Sequence, residues 1–407
     1  MPSRLRTLTG ELGKSGLRHS VGHITEEFMV ILQGSSGRRI FRQMAENDPI
    51  IGSVLHAITQ ILKEAKWIAK PGDDKDEKCK KDAEFLTDCM NDMSTSWMMF
   101  ISEVLSMMIY GWSYFEQVFK KRKDGRIGWK KLAPRIQNSL ERWNIDSNGG
   151  IKGMWQRPAP EYGLHYIPLK KSLLFRPAVH GDNPEGRSIL RSSYRSWFIK
   201  KNLEEFEAIG IERDLAGLPM ITAPEGFKID STDEAVQEQV TWAKEMITAV
   251  RRDEQEGLFL PFGWTVELLS SAGTRQFDTT EIINRYNKEM AVTVLAQFVM
   301  LGMERTGSFA LAKEQTNMFY LSLEGWADGI ASIFNRYGVP LLFSLNGGTG
   351  NRPFPYIAHS PIGVHSLKDL GSYIGQLASH ELLIVDDDLK NVLRRYGRLS
   401  EFSEKRK

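Results

Sequence analysis

The chain has 407 residues, 41% of them apolar and 26% charged, an ordinary balance for a soluble globular protein with room for about two or three domains. A formal net charge of +2 excludes a molecule that is basic throughout, so any nucleic-acid contact has to come from local patches. Cys79 and Cys89 form no CxxC pair, which argues against a disulfide framework or a zinc site and favours a reducing compartment. The N-terminal MPSRLRTLTGELGKSG has no apolar centre and is not expected to be a signal peptide. No uncharged apolar run reaches ~18 residues, so neither a transmembrane helix nor a membrane partner is expected.

Residues 1–24 are polar, carry Arg4, Arg6, Lys14 and Arg18, and read as a flexible arm. From Glu26 to Ala69 the pattern is helical and splits at Asp48-Pro49, where Pro49 suits the first position of a second helix. Trp67 begins an extended segment that ends at Pro71-Gly72. The stretch DDKDEKCKKDAEFLTDCMND alternates in charge and reads as a surface helix. Trp97 to Tyr110 is a further predicted helix, stopped by Gly111. In WSYFEQVFKKRKDGRIGWKKLAPR, aromatic and polar residues alternate on both sides of Asp124-Gly125, which predicts a hairpin. Extended runs follow at GIKGMWQR and LHYIPLKKSLLFRP, with Asn148-Gly149-Gly150 as a turn. To about Phe175 the chain is therefore α+β, helices first and a small antiparallel sheet after them.

The turn-rich loop HGDNPEGRS leads into a long amphipathic helix, SILRSSYRSWFIKKNLEEFEAIGIERD. Residues 215–272 change character: a strand in GLPMITAPEG, a helix in STDEAVQEQVTWAKEMITAVRRD, and two short strands around Pro261-Phe262-Gly263. They form a self-contained α/β insert. A second long helix starts at Asp278, which can cap it in a capping box with Glu281. It runs to Leu301, breaks at GMERTGS (Gly302 to Ser308), and resumes with Ser308 as a candidate cap. This last helix is expected to stop at Gly338, with Pro340 just beyond. A strand in VPLLFSL, the loop NGGTGNRP, a strand in PYIAHSP and a helical remainder complete the chain.

Little in the sequence suggests chemistry. Gly347-Gly348-Thr349-Gly350 lacks the Lys-Ser/Thr of a phosphate loop and reads as a turn. Asp386, Asp387 and Asp388 offer hard oxygen ligands, but they stand directly before LKNVLRRYG and suit helix capping better. His180 sits in a surface loop, the histidines are scattered, and no HExxH or GxSxG occurs. No catalytic, cofactor or metal residue is assigned. One alternative is a cytosolic enzyme with a helical lid, in which 214–275 is a small-substrate module. Another is a non-viral ring-forming DNA clamp.

The layout is an α+β body, a long helix, a small α/β insert, a long helix, a glycine-bearing loop, another long helix, a strand and a helical tail. It resembles the portal proteins of tailed bacteriophages, in particular the group found in Mu-like phages. Three stretches carry the resemblance: FRPAVHGDNPEGRSILRSSYRSWFIKKNLEEFEAIGIERDLAGLPMIT, EGLFLPFGWTVELLSSAG and VLAQFVMLGMERTGSFALAKEQTNMF, within a likeness over about residues 25–395. It implies a portal fold with a flexible arm at 1–24, a wing at 25–186 and 315–358, stem helices at 187–213 and 276–301, a clip at 214–275, a tunnel loop at 302–314 and a crown-like tail at 359–407. The implied assembly is a non-enzymatic ring, usually of twelve copies. It would be put together in the host cytoplasm and sit in the virion at one capsid vertex.

The implied partners are double-stranded DNA, the terminase large subunit, the major capsid protein or scaffold, and the head-tail adaptor. A channel through which DNA slides needs backbone neutralisation without base readout. The candidate contacts are Arg305, Thr306, Ser308 and Lys313 of the loop, and Lys200 and Lys201 of the stem. Each cation also has a plainer reading as a solvated surface charge.

Overall fold

The computed structural model describes residues 11–216, 218–249, 260–269, 278–293, 309–363, 374–377, 379, 390 and 394. The first helical stretch divides where the sequence predicts. Helix α1 (Gly34–Asn47) ends at Asp48 and α2 (Pro49–Glu64) starts there. The Asp48 carboxylate accepts from the amides of Ile50 and Ile51, both at 3.0 Å, and so satisfies two donors that a helix start leaves open. Strand β3 (Trp67–Lys70) follows, then α3 (Glu77–Asn91). The charges of α3 face water, but Cys79, Ala83, Phe85, Leu86, Cys89 and Met90 form a buried stripe, so the helix is amphipathic. Both cysteines are free thiols.

The helix expected over Trp97–Tyr110 is two: α4 (Trp97–Val104) and α5 (Ser106–Tyr110), broken at Leu105. Gly111 closes α5 in the left-handed conformation at φ 87°. A Cβ there would stand 2.4 Å from the Glu185 carbonyl oxygen, so a side chain cannot be accommodated.

Asp124-Gly125 makes the predicted hairpin between β4 (Ser113–Lys121) and β5 (Ile127–Arg135). Strand β9 (Ser172–Phe175) pairs along the other edge of β4 to complete a three-stranded antiparallel sheet. A second sheet joins β6 (Leu140–Ile145), β7 (Ile151–Gln156) and β8 (His165–Pro168). Strand β6 is not among the predicted ones. Its pairing with β7 is interrupted by two register shifts, which spoil the simple alternation that marks a strand in sequence.

The expectation of a flexible arm is corrected for residues 11–24. Strands β1 (His19–Ser20) and β2 (His23–Ile24) pair with each other. The Trp143 amide donates to the Gly22 carbonyl at 2.9 Å, and the Ser15 amide to the Asn148 carbonyl at 2.8 Å. Residues 1–10 lie outside the described residues.

Phe334 is the hub of the main core. It is fully buried, and the rings of Trp97, Phe100, Trp129 and Phe175 stand 5.0–6.0 Å from it. The last long helix reaches this hub and does not stop at Gly338. Helix α9 (Phe309–Ile333) passes through a π-helical turn (Phe334–Gly338) into α10 (Val339–Ser344). The strand expected in VPLLFSL is therefore a helix. Val339, Leu342 and Phe343 are buried in it, and Pro340 lies in its first turn, where no amide is needed. Asn335, within the π turn, clamps the backbone of Ile357 in β12 (Tyr356–His359): it donates to the carbonyl at 2.9 Å and accepts from the amide at 2.7 Å. Strand β12 pairs with β3 and so ties the end of the body to its beginning.

The two long helices around the insert are α6 (Tyr194–Ala216) and α8 (Thr279–Thr293). Asp278 caps α8 as predicted, accepting from the Glu281 amide at 3.1 Å. The helices run antiparallel and side by side. The hydroxyls of Ser193 and Thr293 meet, Ser196 donates to Glu289 at 2.7 Å, and Thr279 donates to Glu207. Met290 packs with Ile51, Leu190 and Trp197, which seats this end of the pair on the body. At the other end, β10 (Leu218–Thr222) and β11 (Thr265–Leu269) form an antiparallel pair, beside α7 (Glu234–Ala249). Trp264 gathers Phe227 and Trp242 at 5.1 and 5.8 Å into a small core for the insert. The strand expected before Pro261 falls largely outside the described residues.

Candidate nucleic-acid interface

Of the residues proposed for DNA contact, Arg305, Thr306 and Ser308 lie outside the described residues. Lys313 belongs to α9, near its start. Lys200 and Lys201 are adjacent on α6, and the fold gives them opposite fates.

Lys201 has a side chain 41% exposed, with its ammonium 3.8 Å from Glu205 and 5.9 Å from the centroid of the Trp197 ring. Both interactions are weak at an exposed site, so the charge remains available to an anion. Lys200 is a correction. Its side chain is 2% exposed and donates to Asp48 at 2.8 Å, with Glu204 at 3.6 Å. The cause is helical periodicity. Ser193, Tyr194 and Trp197 form the face that α6 buries, and Lys200 continues it at a step of three. Its ammonium faces inward and does not present a cation to solvent.

Asp48 thus carries two tasks. One oxygen caps α2 and the other holds α6. The first belongs to the helix start that Pro49 signals. The second joins residues 152 apart in the chain and has no local signal.

The outer faces of α6 and α8 mix the signs of charge. Glu204 and Glu205 follow the two lysines, and on α8 Arg285 lies 4.0 Å from Glu289 and stacks over Tyr286 at 4.8 Å. Such a face can touch a phosphate backbone without holding it tightly.

The loop that feeds α6 is fixed by charge as well. Arg191 grips Glu27 through two hydrogen bonds of 2.6 Å. Burial works against the Glu27 carboxylate, yet the Arg191 contacts hold its pKa below the ordinary value. Glu185 in the same loop accepts from the Trp143 indole at 3.2 Å. Burial pushes its pKa up, against the opposing influence of the buried Arg38. His180, Glu185, Arg187 and Arg191 line one side of a cleft of about 370 Å³, with residues 24–33 opposite. Among the described residues no group of three or more His, Cys, Asp or Glu is placed to hold a metal ion. In the glycine-rich loop, Thr349 donates to the Arg352 carbonyl at 2.8 Å, a contact that closes a turn. Among the described residues no helix is long and apolar enough to cross a membrane.

A family model described as the portal protein of Mu bacteriophage matches residues 38–391, and the chain belongs to that family. Three solved structures share the fold. A chain from the virion of a native gene transfer agent (GTA) particle is 12% identical, with a TM-score of 0.55 over 89% of this chain and 93% of its own. A chain from the neck of an empty GTA particle, computed with C6 symmetry, is 12% identical with a TM-score of 0.54 over 89% and 94%. A chain from the neck of a native GTA particle, computed with C12 symmetry, is 11% identical with a TM-score of 0.52 over 90% and 94%. The mixed helix–strand architecture is thus a portal fold.

Proposed function

We propose that this chain is the subunit of a phage portal: a ring of identical copies at one capsid vertex, through which double-stranded DNA is packaged and later ejected. The family match across residues 38–391 carries this reading. The related particles treated with six- and twelve-fold symmetry favour a ring of twelve. Residues 25–186 and 315–358 form the wing, α6 and α8 the stem, and 214–275 the clip. The clip is the docking surface for the terminase large subunit during filling and for the head-tail adaptor afterwards. The wing meets the major capsid protein or scaffold. The ring assembles in the host cytoplasm and remains in the virion.

Within this reading the tunnel loop, 302–314, faces the channel. Arg305 and Lys313 neutralise phosphate, with Thr306 and Ser308 as neutral hydrogen-bonding groups and Lys201 as the stem contact. Lys200 acts as a structural fastener. A ring turns one cation per subunit into a circle of charge around a polyanion, and Glu304 beside Arg305 moderates the field so that DNA can slide. Replacing Arg305 and Ser308 together with Gly tests the loop. Ring assembly is expected to survive while DNA packaging or retention is impaired. Loss of the ring itself would make the loop a packing element and refute its channel role.

A further inference from the structure

The most concentrated positive charge among the described residues lies outside every segment assigned to the channel. From Lys120 to Lys131, in the β4–β5 hairpin, stand seven cations and a single carboxylate, Asp124. Three of the cations are neutralised: Lys120 by Asp92 at 3.0 Å, Arg122 by Asp88 at 3.3 Å, and Arg126 by Asp124 at 2.9 Å. The other four, Lys121, Lys123, Lys130 and Lys131, are exposed, and none forms an ion pair with a described residue.

The platform beneath them is rigid. Trp129 is fully buried and its indole donates to Gln117 at 3.2 Å. Asn346 clamps Ile127, accepting from its amide at 2.8 Å and donating to its carbonyl at 2.9 Å. Arg122 donates to the Cys89 sulfur at 3.4 Å, and the Arg126 guanidinium stacks on Phe85 at 3.9 Å. The two neutralised arginines therefore staple the hairpin to α3, and the four lysines project from a fixed base. Lys131 pairs with Val118, three residues before Lys121 along β4, about 10 Å away at ~3.4 Å per residue.

The character of this surface selects its partner. Among the described residues, no exposed large apolar side chain falls between Ser113 and Arg135. A stable protein partner needs a buried apolar or aromatic anchor at the centre of the contact, and the hairpin itself carries none. A phosphate backbone needs only cations, and a duplex carries one negative charge per ~1.7 Å of axis. We propose that the hairpin is a second, sequence-independent contact for duplex DNA, on a surface separate from the channel. The proposal rests on the reading that this protein handles DNA and is independent of its ring state.

The test uses the full-length protein and covalently closed circular duplex DNA, which cannot thread a closed ring and so reports surfaces other than the channel. The comparison is between the wild type and the variant K121Q/K123Q/K130Q/K131Q over a series of salt concentrations. The variant is expected to bind about ten-fold or more weakly at low salt. The slope of log affinity against log salt is expected to become shallower by up to about 3–4, since each neutralised phosphate contributes about 0.9. The turn-proximal pair K121Q/K123Q, which touches β4 only at its last residue, is expected to give about half that slope change, and it decides the matter should the fourfold variant misfold. Equal affinity and slope for wild type and variants would overturn the proposal. So would unchanged DNA binding accompanied by failure to enter capsids, which would mark the hairpin as a protein-docking surface. Absence of a ring in electron micrographs would count against the portal reading alone, because binding to the circle does not depend on it.

Discussion

Lys200 and Asp48 meet at 2.8 Å with side chains only 2% and 4% exposed. A buried pair of this kind is costly to break from one side, because the surviving charge keeps its desolvation penalty without a partner. Lys200→Met is therefore expected to destabilise the protein by about 3–5 kcal/mol, read from urea midpoints, while the same change at the neighbouring site, Lys201→Met, alters them little. Equal, small effects at both positions would show that Lys200 is not the fastener. Glu185 supplies a different signature. Burial raises its pKa above the usual 4.5, so over a window starting there the folded state holds a proton that the unfolded state has lost. Stability from this group is complete below the unfolded value and falls as pH rises through the folded one. A glutamine side chain has no such proton to lose, and it can still accept from Trp143. The variant Glu185→Gln is expected to gain on the wild type as pH rises above 4.5 in denaturant titrations. Parallel curves would contradict it.

At the scale of elements, what was legible in sequence was what is decided locally. Asp48-Pro49 reads as a break with a first-turn proline, Asp124-Gly125 as a hairpin turn, and Asp278 with Glu281 as a helix start, and each element forms there. What was not legible depends on distant partners. The run VPLLFSL is short and apolar, and such runs do not distinguish a strand from a fully buried helix. The choice is made by the π turn before it, which places Phe334 among four aromatic rings and Asn335 against β12. Lys200 looked like a neighbour of Lys201 because its true partner is 152 residues away. Asn335→Leu tests the clamp. It removes one acceptor and one donor from Ile357, each worth about 1–3 kcal/mol when left unpaired in a buried setting. Loss of amide-exchange protection is expected along β12 and β3 before it spreads elsewhere, whereas uniform loss would mean that the clamp does not govern this edge.

For the whole molecule, two antiparallel helices stand on the body at Met290 and carry the insert with its own aromatic core at their other end. The arrangement holds one small unit apart from a larger one, which suits a subunit whose two ends meet different partners in a shared assembly. The family match extends across body, helices and insert alike. Under the proposed function such subunits close into a ring around DNA. Electron-microscope class averages of the purified full-length protein test it most directly. A closed ring near twelve-fold symmetry with an axial hole is the expected result; a uniform population of monomers or dimers without a hole would contradict it.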